Sequence, residues 1–194
     1  MTAVFCSAIF AIAACSTTTT QSFRIVESSN VEAAFIATDA DFSKYHQLLA
    51  EEMGIFFPKN VKMSDEDLAR IRQIFRDAFL PKLDHYTIVN TPVPGAMAIQ
   101  ASLIDLRKAG IADVPHLRIE LRDVAKPSAL VFLMEFRDPM TGLVLARAAD
   151  STEAPAFAYG DGSATDWSAV EAAAEHWATL FRNFLDNNLG KEGI

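Results

Sequence analysis

The chain has 194 residues, a formal net charge of −8 and a hydrophobic fraction of 51%. An acidic chain with no basic cluster is a poor partner for nucleic acid and for anionic lipid headgroups. Its two cysteines, Cys6 and Cys15, both stand near the start, so the long remainder offers no disulfide, no cysteine metal site and no thiol nucleophile.

Residues 3–14 are almost entirely Ala, Val, Ile and Phe, with no charge. Twelve such residues fit the apolar core of a signal peptide. They fall short of the roughly 20 needed to span a bilayer. The stretch closes in Ile12-Ala13-Ala14-Cys15, and Ser16 and four threonines follow. This run resembles the lipobox of bacterial lipoproteins, with Ile12 where Leu is usual and no Lys or Arg ahead of it. The resemblance implies a signal peptide over residues 1–14, cleavage before Cys15 and a diacylglycerol on its thiol. It also implies an outer-membrane address facing the periplasm, because Ser16 replaces the Asp that retains such proteins in the inner membrane. Two or more acyl chains anchor a protein stably, at about 0.8 kcal/mol per buried CH₂. The other reading of the stretch is a buried strand or helix that happens to contain a cysteine.

Cleavage would leave 180 residues, enough for one domain with a substantial core. Residues 16–22 are polar and low in complexity, and read as a tether. Residues 23–26 read either as a short strand or as disordered chain. The expected organisation is a lipidated cysteine and tether over 15–34 and a single globular domain over 35–194.

Residues 44–57 fit two patterns. Leu49, Met53 and Phe56 have helical spacing, while Ile55-Phe56-Phe57 ahead of Pro58 reads as the end of a buried strand. The strand is the favoured reading. A helix then starts at Ser64, whose hydroxyl suits an N-cap, and Asp65, Glu66 and Asp67 suit the positive end of the dipole. Leu68, Ile71, Ile74, Phe75, Ala78 and Phe79 form its apolar face, and Pro81 marks its end. Arg70, Arg72, Asp77 and Lys82 fall on the solvated side. Residues 86–89 are β-prone, and Pro92-Val93-Pro94-Gly95 is a turn. Residues 96–106, 117–124 and 129–137 read as strands. Asp138-Pro139-Met140-Thr141-Gly142 is a hairpin turn into a returning strand over 143–149. After a loop over 154–162, a helix over 166–189 is expected. Thr165 is its expected cap, and Val170, Ala173, Ala174, Trp177, Leu180, Phe181 and Phe184 its buried stripe. Gly190 stands where a helix stop belongs.

This order predicts an α+β two-layer sandwich, a mostly antiparallel sheet with two main helices packed on one face. One parallel pair is expected around the first helix. Several features of residues 45–150 also follow an order found elsewhere. A Tyr-containing strand ends in Pro58, and an acid-capped helix leads to Tyr86-Thr87-Ile88-Val89 and Pro94-Gly95. Then come Ile104-Asp105, Phe136-Arg137-Asp138 and Thr141-Gly142. In this order the segment resembles an uncharacterised family of Gram-negative lipoproteins, domain of unknown function 3313. Ala96-Met97-Ala98 departs from its more β-branched and basic run. The resemblance implies address and fold, and no activity.

Chemistry-bearing motifs are sparse. His46, His85, His116 and His176 show no metal-ligand spacing, so no metal or other cofactor is expected. Glu175 and His176 are adjacent on a helix and point about 100° apart. Asp161-Gly162-Ser163 with Thr165-Asp166 reads as turn and cap chemistry, since a calcium loop needs another spacing. Arg118, Glu120 and Arg122 alternate along one strand face. They read as a charge ladder with Glu135, Arg137 or Arg147, or as a polar groove for a carboxylate or glycan. Trp177 falls in the buried stripe, whereas Trp167, near the helix start, is a candidate partner contact. The expected function is a non-enzymatic, membrane-anchored lipoprotein with a protein or cell-wall partner. One alternative is a periplasmic carboxylate-dependent hydrolase using Asp105 or Glu120. The other is a structural, homo-oligomeric envelope component.

Overall fold

The computed structural model describes residues 21–27, 29–57, 62–106, 129–153, 157 and 164–189. The expected elements at Cys15, Ser16, Arg118, Glu120, Arg122, His116, Asp161 and Gly190 lie outside them. An eight-stranded mixed sheet carries two long helices. Its strands are β1 (Phe23–Ile25), β2 (Ala33–Ala37), β3 (Gln47–Ala50), β4 (Gly54–Phe56), β5 (Thr87–Val89), β6 (Ala96–Asp105), β7 (Ala129–Arg137) and β8 (Val144–Glu153). The helices are α1 (Asp65–Phe79) and α2 (Trp167–Leu189), and a 3₁₀ turn, Leu80–Leu83, follows α1. The expected α+β sandwich is the architecture observed.

The strand order is β1-β2-β8-β7-β6-β3-β5, and β4 also pairs with β6. The long strands β6, β7 and β8 run antiparallel, as their alternating sequences predict. Parallel pairing is more extensive than expected, since β3 is parallel to both β5 and β6, and β4 is parallel to β6. The ambiguous residues 44–57 resolve into two short strands that share one edge of β6. Leu48 stands opposite Met97, and Ile55 opposite Leu103. The sheet also begins earlier than residue 35. Phe23–Ile25 forms an edge strand against β2, and Val31 is buried in the core.

Ser64 caps α1, its Oγ accepting the N–H of Asp67 at 3.1 Å. Ile71, Phe75 and Ala78 are buried, while Arg70 and Asp77 are exposed. The cap of α2 is Asp166 rather than Thr165. Its Oδ1 accepts the N–H of Ala169 at 3.1 Å, three residues into the turn, while the Thr165 carbonyl accepts from Trp167 N. The predicted stripe of α2 is buried, apart from the half-buried Leu180.

Period-two alternation sends Leu103, Phe132, Met134 and Ala148 to the helices, where aromatic rings gather around Phe132. Its centroid lies 5.4 Å from Phe75, 5.2 Å from Trp177 and 5.0 Å from Phe181. The other face carries a smaller buried cluster of Ile104, Leu106, Val131, Leu133 and Ala149. The β7–β8 hairpin turns as predicted. Asp138 Oδ1 accepts the N–H groups of Met140 (2.7 Å) and Thr141 (3.0 Å), and Gly142 takes φ +73°.

Candidate functional site

A cavity of about 620 Å³ opens between α1, α2 and the edge of the sheet that carries β3 and β5. This lies within the range of roughly 300–1,000 Å³ common to small-ligand sites. Its floor comes from β3, β6 and β7, where Leu48, Ile99 and Met134 project toward the helices. Phe75 and Phe79 of α1 form one wall, and Phe181 and Leu185 of α2 the other. Small residues keep the space open, since Ala101 on β6 and Ala178 on α2 fill little of the gap. Leu80 and Ile88 also line it, and they are two of the exposed large apolar residues of the molecule.

Charge is concentrated on the rim. The turn between β3 and β4 brings Glu51, Glu52 and Met53 against α1. Arg72 Nε donates to the Met53 carbonyl at 3.3 Å and lies 3.3 Å from Glu52 Oε1. Glu51 pairs with Arg137 at 3.0 Å. On the opposite rim, Arg182 Nε donates to both Asp186 oxygens at 2.8 Å, and its Nη1 donates to the Lys82 carbonyl. Tyr86 donates its hydroxyl to Asp186 Oδ1 at 2.9 Å. Burial pushes the Tyr86 phenol well above its ordinary pKa, and the Asp186 carboxylate adds to the effect. Burial alone would raise Asp186, but the hydrogen bonds from Arg182 and Tyr86 outweigh it and hold that carboxyl below its usual range. Arg76, one turn on from Arg72, is exposed at the rim and makes no ion pair with the described residues.

A second polar cluster occupies the helix-free face of the sheet. Cross-strand pairing sets Gln100, Glu135 and Arg147 side by side on β6, β7 and β8. Arg147 Nε donates to Glu135 Oε2 at 2.7 Å, and Arg137 Nε lies 3.2 Å from Glu135 Oε1. The Arg147 guanidinium also lies 4.8 Å from the Phe23 ring centroid, under the edge strand, and Arg147 is 1% exposed. These residues form an interior charge ladder. The Arg118, Glu120 and Arg122 strand that was expected to join it lies outside the described residues.

The other sequence candidates stand apart from the cavity. Asp105 is buried at the end of β6 and does not line it. Trp167 is half-buried against the core, with the Arg70 guanidinium 4.1 Å above its ring, so it packs on its own helix pair rather than standing free. Trp177 is buried as expected, and its indole N–H donates to Asp150 Oδ2 at 2.9 Å. Asp150 Oδ1 also accepts the Glu32 N–H at 3.2 Å, which makes this buried carboxylate a junction of β8, α2 and the β2 entry. Sequence reasoning passed over Asp150; its only signal was an acid directly after the strand read over 143–149. His46, His85 and His176 are exposed, and no group of three or more His, Cys, Asp or Glu side chains is arranged for a metal ion among the described residues. Among those residues no helix is long and apolar enough to cross a membrane.

No family model matches the chain, and no curated protein matches it. Among solved structures, the PelC dodecamer from Paraburkholderia phytofirmans is 9% identical with a TM-score of 0.38, over 75% of this chain and 89% of that one. A PDZ domain protein from Parabacteroides distasonis is 14% identical with a TM-score of 0.44, over 78% of this chain and 34% of that one. Likenesses this distant carry no argument about what the chain does.

Proposed function

We propose that the chain is a membrane-anchored, periplasm-facing lipoprotein with a non-enzymatic binding role. Two features support this reading. The run ending at Cys15 matches the anchor that the lipobox resemblance implies, and Ser16 favours the outer membrane. The cavity between the helices and the β3–β5 edge is the observation that carries the binding role. It joins apolar walls to a short charged rim, which is the composition of a site that holds and orients a guest. Of the two residues of the hydrolase alternative, Asp105 is buried away from the cavity and Glu120 lies outside the described residues.

The test is site-specific photocrosslinking in intact cells, with the full chain carrying a photoreactive residue at Ile88 on the rim or at Arg24 on the far edge strand. The reading expects a discrete adduct from the Ile88 position at native abundance and none from Arg24. Equal, diffuse labelling from both positions, or none from either, contradicts it.

A further inference from the structure

We infer that the cavity takes a single-chain anionic amphiphile, with its acyl chain against Phe79, Leu80, Leu83 and Ile88 and its anion at Arg76. The inference rests on the cavity being the binding site, and adds the chemical class of the guest.

The walls fix the apolar half. Phe79, Leu80, Leu83 and Ile88, the half-buried and exposed apolar residues of the lining, present no hydrogen-bonding side-chain group to a guest, so a polar molecule held against them would lose hydration without return. An alkyl chain has nothing to lose. Leu80 and Ile88, exposed at the mouth, continue the apolar lining to the surface and give a chain a way in. The rim fixes the polar half. Glu52 is engaged by Arg72, Glu51 by Arg137, and Arg182 by Asp186. That leaves Arg76 as the rim cation without an ion pair among the described residues, on the exposed side of α1 one turn after Arg72. A guanidinium there favours a carboxylate or phosphate, both of which it can bind with two parallel hydrogen bonds. The uncompensated charge is a single cation, which fits a guest with one anionic headgroup.

The experiment uses calorimetric titration of the full chain carrying Cys15→Ala, which takes away the proposed acylation site and leaves residues 1–14 in place in every variant compared. The probes are decanoate, dodecanoate, dodecyl phosphate and the uncharged monododecanoylglycerol, all below micellar concentration. Burial of methylenes predicts binding about fifteenfold tighter for dodecanoate than for decanoate, from about fourfold per CH₂. Arg76→Glu, an exposed substitution that leaves the core alone, should weaken dodecanoate about fivefold or more and leave the uncharged ester unchanged. Ala101→Phe, which fills the floor, should abolish binding, with circular dichroism confirming the fold. Arg24→Glu, on the opposite edge of the sheet, should change nothing. Tighter binding of dodecyl phosphate than of dodecanoate would assign the anion to a lysophospholipid, and the reverse order to a free fatty acid. The inference is overturned if no probe binds saturably, if the uncharged ester binds as tightly as the anions, or if binding survives Arg76→Glu undiminished. A discrete Ile88 adduct in cells with no amphiphile binding would retain the binding role and discard this guest.

Discussion

Asp138 closes the β7–β8 hairpin by accepting two backbone N–H groups, and its second oxygen accepts the Tyr45 hydroxyl at 3.0 Å from across the sheet. Burial acts to raise the Asp138 pKa, but the N–H donors and Tyr45 outweigh it and hold the carboxyl below its ordinary value. Burial pushes the Tyr45 phenol up to about 12, and the Asp138 carboxylate adds to the shift. The signs give opposite limbs. A raised phenol pKa means the folded state keeps a proton that the unfolded chain releases above about 10, so stability falls as pH rises toward 12. Depressed carboxyls at Asp138 and Asp186 contribute stability that is lost as pH falls below the ordinary carboxylate range. Urea denaturation across pH should therefore show both limbs. Tyr45→Phe should flatten the alkaline one, and adding Tyr86→Phe should flatten it further. An unchanged alkaline limb in the double variant would contradict this assignment. Trp177→Phe removes the donor to buried Asp150, and should cost about 1–3 kcal/mol in denaturant melts, the usual penalty for a stranded buried acceptor.

The helices and the hairpin are held by local chemistry that is testable one element at a time. Ser64→Ala should lower stability by about 1 kcal/mol through the α1 cap, and Asp166→Ala by a similar amount through α2. Gly142→Ala should cost roughly 1–2 kcal/mol, since φ +73° is left-handed backbone. These elements were legible in the sequence for the same reason that they are testable: Ser64, the acids after it and the Asp138–Gly142 turn act within a few residues of themselves. The alternation of β6 was equally plain, and β7 and β8 were read from the turn between them. Residues 44–57 fitted two local patterns, and the favoured strand reading holds, though as two short strands, β3 and β4, each fixed by pairing with β6 some fifty residues on. Thr165 and Asp166 both suit a cap, and only the geometry of the first turn chooses between them. Phe23–Ile25 takes the strand, the first of its two sequence readings, because the β2 edge and Arg147 meet it.

The cavity belongs to the whole molecule, and this is why no motif foretold it. Its apolar lining read correctly as core, since Phe75, Phe132 and Phe181 have core periodicity. That the core stays open at one edge depends on Ala101 and Ala178 facing the same gap from distant parts of the chain. The rim likewise assembles Glu52, Arg76 and Arg182 from three separate elements. The charged cluster on the opposite face shows the reverse case. Glu135 and Arg147 were read as partners for Arg118, Glu120 and Arg122, which lie outside the described residues; the structure pairs the two with each other and closes Arg147 over with Phe23.

The proposed anchor was read from residues 3–16 alone, and it would set the cavity beside a membrane. The full chain purified from the membranes of a bacterium expressing it provides the decisive mass: that of its N-terminal peptide. The account predicts a chain that begins at Cys15 and carries a diacylglyceryl thioether on that residue. It also predicts that Cys15→Ala leaves the precursor uncleaved at that point. A chain beginning at Met1, or a Cys15 bearing an unmodified thiol in the membrane fraction, would contradict it.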